Sequence, residues 1–274
     1  MTPRQRLIVG NWKMHKTIPE ARDFVKQLAG LLPKSPPANV TIVLAPPFTA
    51  LQAVASELAT HGLFEGTGGG ASRPGPSPVM MAAQDMHWED LGAFTGEVSP
   101  LMLKDLGCRY VIVGHSERRR HFGETDATVK LKVAAALRHG LRPILCVGET
   151  WDQRTSGQTE QVLSIQLTEA LAGIEKDQAG DVVIAYEPVW AIGSGHPATA
   201  QQAHDAHRHI RARVTALWGQ DAGDRLVILY GGSVTPDNIG ELLASREING
   251  ALVGGACLDP IQFAKILSIV GSAK

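Results

Sequence analysis

The sequence predicts an α/β fold, a single domain in which eight parallel strands, each followed by a helix, close into a (β/α)8 barrel. Three observations lead there. Eight short apolar runs recur roughly 25 to 45 residues apart along the 274-residue chain. Each run is continuously apolar rather than alternating, which is how a strand covered on both faces reads. Segments of helical periodicity lie between the runs, as parallel neighbours require. Eight is also the strand number that closes a barrel around a side-chain-filled interior. No composition shift or linker divides the chain, so residues 1–274 read as one domain.

In order, the strand runs are 7–10, 40–44, 79–83, 111–113, 143–147, 182–186, 226–230 and 251–253. The clearest helical segments between them are 17–32, 49–60, 125–139, 159–173 and 199–217. Thr235 before Pro236 and Asp237 supplies a start signal for the helix after the seventh strand. Residues 65–78, EGTGGGASRPGPSP, cannot bury an apolar face and read as a flexible surface insertion on the N-terminal side of the barrel. Their glycines follow a helix and precede a strand, the reverse of the order a phosphate-binding loop needs.

Composition excludes several function classes. Lys and Arg total 26 against 27 Asp and Glu, a net charge of −1, so no basic surplus points to nucleic acid or an anionic membrane. No run reaches the ~18 apolar residues of a membrane helix, and the apolar stretch after MTPRQR is too short for a signal-peptide core. The expected location is the cytoplasm. Cys108, Cys146 and Cys257 are odd in number and form no CxxC pair, and Cys146 and Cys257, in apolar runs, read as small core residues.

In a parallel barrel the strand C-terminal ends form the active face. The first strand delivers Asn11 and Lys13, the fourth His115 followed by Ser116 and Glu117, and the sixth Glu187. The seventh ends in Gly231-Gly232-Ser233 and the eighth in Gly254-Gly255. An amine, an imidazole and a carboxylate beside glycine-rich turns can take a proton from carbon, stabilise the oxyanion and hold a phosphate. Singly, each has a plainer reading: a turn for Glu187, a structural histidine for His115, a solvated cation for Lys13, a helix cap for Ser233. Their joint placement at strand ends carries the weight. Arg118, Arg119 and Arg120 read as a solvated or interface face. His204, His207 and His209 read as surface histidines, not a metal site.

These residues sit in motifs that resemble triosephosphate isomerases over nearly the whole chain. The stretches are Gly10-Asn11-Trp12-Lys13-Met14, Gly92-Ala93-Phe94-Thr95-Gly96-Glu97, Gly114-His115-Ser116-Glu117-Arg118-Arg119, Ala185 to Gly193 (AYEPVWAIG), Tyr230 to Val234 (YGGSV) and Gly250 to Ala256 (GALVGGA). The resemblance implies a TIM barrel that interconverts dihydroxyacetone phosphate and D-glyceraldehyde 3-phosphate in glycolysis and gluconeogenesis, with no cofactor and no metal. It implies Glu187 as the base, His115 as electrophile and acid, Lys13 as electrostatic stabiliser, Asn11 as orienting residue and Glu117 as support for Lys13 and His115. Backbone N–H groups around Gly193, Ser233, Gly254 and Gly255 would hold the phosphate. Pro188, Val189, Trp190, Ala191, Ile192, Gly193, Ser194 and Gly195 resemble a mobile lid, latched by Tyr230 and Ser233.

The chain departs from the family at Ser194, which keeps the hydroxyl of the usual Thr, and at His196-Pro197. Pro197 fixes φ and removes an N–H, so it is expected to narrow the range of the lid's second hinge. The segment 84–99 resembles the loop that docks into a second subunit, and Trp88, Leu91 and Phe94 are unusually apolar for a solvated loop. A homodimer is expected, with Thr95 reaching the partner's site. The rival readings are another phosphosugar isomerase and a non-catalytic dimeric barrel that binds phosphate ligands. The first is disfavoured by loops that match the small-substrate family, the second because Lys13, His115 and Glu187 are all present.

Overall fold

A computed structural model of the chain describes residues 6–33, 39–64, 79–192 and 198–272. The insertion expected at 65–78 lies outside them. The strands are β1 (Arg6–Asn11), β2 (Val40–Ala45), β3 (Val79–Ala83), β4 (Cys108–Val113), β5 (Arg142–Val147), β6 (Val183–Tyr186), β7 (Val227–Tyr230) and β8 (Gly250–Val253). They pair in sequence order, and β8 returns to pair in parallel with β1, so the barrel is closed.

The continuous apolar runs now have their cause. Leu7, Val9, Val43, Ala45, Ile112, Ile144, Ala185 and Leu229 fill the barrel interior. Their neighbours Ile8, Ile42, Leu44, Val111, Val113, Leu145, Ile184 and Ile228 face the surrounding helices. Both faces are thereby removed from water, which at roughly 25 cal/mol per Å² is the main favourable contribution to the fold.

The helices are α1 (Ile18–Leu31), α2 (Leu51–Thr60), α3 (Pro100–Asp105), α4 (Ser116–His121), α5 (Asp126–Arg138), α6 (Trp151–Thr155), α7 (Thr159–Ala170), α8 (Ala200–Trp218), α9 (Gln220–Arg225), α10 (Ile239–Ala244) and α11 (Pro260–Ser272). Thr17 with Glu20, Thr150 with Gln153 and Thr199 with Gln202 form reciprocal capping pairs that fix three of the starts. Short α3, α6 and α9, of five or six residues, are too brief to imprint a periodicity on the sequence. In α11 the buried stripe of Phe263, Ile266, Leu267 and Val270 is blurred by exposed Ile261. The helix expected at Pro236 begins at Ile239 instead: the Asn238 side chain accepts from the Thr235 N–H at 2.9 Å and makes 235–238 a turn.

Two further readings are corrected. Arg118 and Arg119 are not a freely solvated face but half-buried and paired: Arg118 Nη2 lies 2.9 Å from Asp85 Oδ2, and Arg119 donates to the Gly114 carbonyl at 2.8 Å and to Asp126 at 2.5 Å. Arg120 alone of the three is exposed. Lys132, with Asp85 and Glu124 as partners, completes a buried ion cluster beneath them.

His207 is not a surface histidine either. It is fully buried on the barrel-facing side of α8, in line with Ala203, Ile210 and Val214. Its Nδ1–H donates to the Glu247 carbonyl at 3.3 Å, and its ring meets Tyr186 edge-on at 5.8 Å. Burial pushes its pKa from 6.5 down to about 3.

The unfolded chain therefore takes up a proton near pH 6.5 that the folded chain refuses until about pH 3. The stability this histidine contributes is complete above pH 6.5 and is lost as pH falls, at up to ~1.4 kcal/mol per unit. Chemical denaturation between pH 4 and 7 should show a shallower acid limb in His207→Gln than in the wild type. Parallel limbs would contradict the neutral buried state.

Candidate active site

β1 ends in Asn11, whose Oδ1 accepts the Lys13 N–H at 3.0 Å. Lys13 sits at φ 53°, a left-handed conformation that costs a non-glycine residue about 1 kcal/mol or more. Gln84, from the end of β3, holds it there by donating to the carbonyls of Lys13 (2.9 Å) and Ala45 (2.8 Å). Lys13 Nζ then reaches Glu117 Oε1 at 2.6 Å.

β4 is followed by Gly114, where φ of 73° and the Cys146 carbonyl, 3.2 Å from where a Cβ would sit, disfavour a side chain. The sharp turn makes His115 the N-cap of α4, and its Nδ1 accepts the Glu117 N–H at 3.2 Å. This bond assigns the ring proton to Nε2, which faces Glu187 Oε1 at 2.9 Å. The N–H does not point along that line, so Oε1 lacks an aligned donor. The other carboxylate oxygen accepts the Ser116 N–H at 2.8 Å.

Both members of this pair are almost wholly buried. Burial penalises the Glu187 carboxylate, but His115 beside it and the Ser116 N–H outweigh burial and hold its pKa below the usual carboxylate range. For His115, burial disfavours the imidazolium, while the docked Glu187 carboxylate overcomes it and raises the pKa. The Glu117 N–H aimed at Nδ1 works against a second proton, so the ring's charge state depends on where Glu187 lies.

Glu187 is itself held in register from β5. Its N–H donates to the Val147 carbonyl at 2.8 Å, and a side chain at Gly148 would run into the Glu187 carbonyl, at 1.7 Å. Gln166 grips the same Gly148 peptide at both its N–H (2.8 Å) and its carbonyl (3.3 Å). A cavity of about 340 Å³ borders the carboxylate between Gly114, Gly148, Gln166 and Val189.

Glu149, fully buried, accepts from Tyr186 Oη (3.1 Å), Trp190 Nε1 (2.9 Å) and Arg154 Nη1 (3.0 Å). Arg154 also covers the Trp190 ring at 4.7 Å. These contacts anchor the start of the expected lid, where Val189–Ala191 forms a 3-10 turn. Gly193, Ser194, Gly195 and Pro197 lie outside the described residues. The Ala198 N–H faces the Tyr230 hydroxyl, whose pKa burial raises to about 12.

Asn11, Lys13, His115, Glu117 and Glu187, the five residues expected from the strand ends, meet on one rim. Ser233 and Gly255 are exposed at the same end, and a methyl added at Gly254 would sit 3.3 Å from Lys13 Cε. Gln84 and Glu149 are not among the expected residues, although each follows a strand and the same strand-end rule points to them. The three cysteines are buried, and no group of ligands for a metal exists among the described residues.

The family model described as triosephosphate isomerase matches residues 6–270. The triosephosphate isomerase of Thermoanaerobacter sp. (strain X514) is 48% identical over 265 residues, which is 97% of this chain and 99% of the relative. That of Moorella thermoacetica is 50% identical over 97% of this chain and 98% of its own. That of Chloroflexus aurantiacus is 50% identical over 95% and 97% respectively.

Because the docked Glu187 carboxylate does most to raise His115 against burial, removing its charge leaves only Glu117 to oppose that burial. In Glu187→Gln the His115 titration followed by ¹⁵N NMR should move to lower pH than in the wild type. A midpoint that stays or rises would rule out this coupling.

Proposed function

The chain belongs to the triosephosphate isomerase family, and on that premise we propose that it interconverts dihydroxyacetone phosphate and D-glyceraldehyde 3-phosphate through an enediolate. The observation that carries the reading is the 2.9 Å contact between a buried carboxylate, Glu187, and the Nε2 of a buried histidine, His115, within one network with Lys13. Glu187, ionised by its low pKa, removes the proton from the carbon next to the substrate carbonyl. The Nε2–H of His115 donates to the carbonyl oxygen, and the charge that develops there is met by His115 and Lys13. His115 relays a proton between the two oxygens, and Glu187 returns the carbon-bound proton to the neighbouring carbon. No electrons leave the substrate, so the step calls for no redox cofactor.

The substrate phosphate is assigned to Lys13 and the backbone N–H groups of Gly193, Ser233, Gly254 and Gly255, with Asn11 orienting the site. Glycine supports this role because backbone approaches an anion closely where no side chain intervenes. The lid beginning at Pro188 is assigned to covering the enediolate, and the grip of Glu149 and Arg154 on Trp190 supports a fixed first hinge. The non-catalytic binding barrel is disfavoured because it would need a lost base, cation or electrophile.

We also assign the chain to a homodimer. Leu91 is 82% and Phe94 44% exposed in the loop that carries Thr95, and Met14, next to Lys13, is 94% exposed, apolar side chains of the kind a subunit interface covers. A cytoplasmic location fits this reading. Among the described residues no helix is long and apolar enough to cross a membrane.

A coupled assay on D-glyceraldehyde 3-phosphate should show turnover in the wild type and a loss of ~1,000-fold or more in Glu187→Gln, about 4 kcal/mol of barrier. A folded wild type without turnover would overturn the catalytic reading in favour of the binding barrel. Light scattering at micromolar concentration should give twice the chain mass, and a monomer would overturn the dimer.

A further inference from the structure

Among the described residues, two non-glycines hold a left-handed backbone, Lys13 at φ 53° and Lys16 at φ 75°. The first is explained by Asn11, Gln84 and Glu117. The second has no part in that network, yet it carries the same kind of strain, and strained conformations persist only where their surroundings over-determine them.

What holds Lys16 is its own side chain. The ammonium donates to the Leu258 carbonyl at 2.8 Å, a partner 242 residues away in sequence. It also lies 4.9 Å from the centre of the Phe24 ring and 5.6 Å from that of Trp12. Those rings pack edge to face at 4.8 Å, and both are buried, so the cation rests on a fixed apolar platform. Immediately beyond, Thr17 caps α1 through Glu20, with both its N–H and its hydroxyl 2.7 Å from Oε2. The turn from Trp12 to Lys16 is thus pinned at both ends.

The position of Leu258 gives the tether its meaning. It is the last residue of the 3-10 turn Gly255–Leu258 that follows β8. The same seam holds Cys257 Sγ, 3.4 Å from the Asn11 carbonyl, and Gly254 packed on the Lys13 stem. The turn that presents Lys13 and the turn that presents Gly254 and Gly255 come from opposite ends of the chain, and Lys16 supplies a charged bond between them.

We propose that Lys16 is a positioning residue that fixes the turn after β1 against the turn after β8, setting the spacing of the Lys13 ammonium from the Gly254 and Gly255 N–H groups that receive the substrate phosphate. This rests on the function proposed above. His115 and Glu187 hang from β4 and β6, and Lys16 has no contact with either. Loss of the tether therefore acts on phosphate binding and leaves proton transfer largely intact.

The experiment compares wild type, Lys16→Met, Lys16→Gly and Lys16→Arg. Readouts are kcat and KM on D-glyceraldehyde 3-phosphate, the dissociation constant of inorganic phosphate by calorimetry, and Tm. Lys16→Met keeps the stem and the strain but loses the donor. It should raise KM and weaken phosphate about 10-fold, which is ~1.4 kcal/mol, with kcat within about threefold of wild type. Lys16→Gly relieves the strain without restoring the tether, so its Tm should exceed that of Lys16→Met while KM and phosphate affinity stay impaired. Lys16→Arg, which keeps a donor cation, should recover most of the loss. KM and phosphate affinity within twofold of wild type in both Met and Gly variants would overturn the proposal. So would defects that follow Tm alone and vanish in Lys16→Gly. A wild type that binds phosphate in a Lys16-dependent way but turns over no triose phosphate would overturn the isomerase reading and uphold the tether.

Discussion

The pairing of β8 with β1 is the contact on which the rest of the molecule depends. Leu7, Ile8, Val9 and Gly10 register against Gly250, Ala251, Leu252 and Val253, and this single ladder turns an open sheet into a closed one. The backbones approach so closely that a side chain at Gly250 would strike the Leu7 carbonyl, at 1.9 Å. Closure has a chemical result as well as a structural one. It sets Asn11 and Lys13 beside Gly254 and Gly255, groups that the chain itself separates by more than 240 positions. The phosphate site proposed for these groups, divided between the two ends of the sequence, would have to wait for the last strand to dock.

Opposite that seam, the base rests in a position chosen by electrostatics. Glu187 is buried where a lone carboxylate would be protonated, and it stays ionised because a backbone N–H and the His115 ring share its charge. The ring contact is close but poorly aligned, so the carboxylate gives up little directional bonding when it turns toward a substrate. Behind it, the Gly148 peptide and the Gln166 amide form a stiff backstop. A backbone held this firmly fixes the point from which a base serves two adjacent carbons.

Much of this is legible in the sequence, for identifiable reasons. Strands covered on both faces write themselves as unbroken apolar runs, so all eight can be found. Polar residues just past those runs point at one rim, and that rule brings Asn11, Lys13, His115 and Glu187 together, while the family resemblance gives Glu117 its place among them. The failures have causes too. Gln84 and Glu149 also lie just past strands, but they act by holding other residues in place, a role with no chemical signature of its own. His207 reads as solvated because its helix is mostly polar, yet Ala203, Ile210 and Val214 at helical spacing mark the stripe it shares. Arg118 and Arg119 read as a free run of charge because their partners Asp85, Gly114 and Asp126 belong to other elements or to the next turn, which local pattern does not connect. The tip of the expected lid and the insertion at 65–78 lie outside the described residues.

The cysteines carry a last consequence. Cys108, Cys146 and Cys257 are all enclosed, and burial raises their pKa values, to about 12 for Cys108 and Cys257. A folded chain consequently holds almost no thiolate at neutral pH, and thiol-directed reagents find no cysteine on its surface. Chemical attack on these sulfurs must wait for the barrel to breathe. The rate at which a thiol reagent consumes them is then a clock for the opening of the fold, with the label left by each event recording whether β4, β5 or the turn after β8 was uncovered.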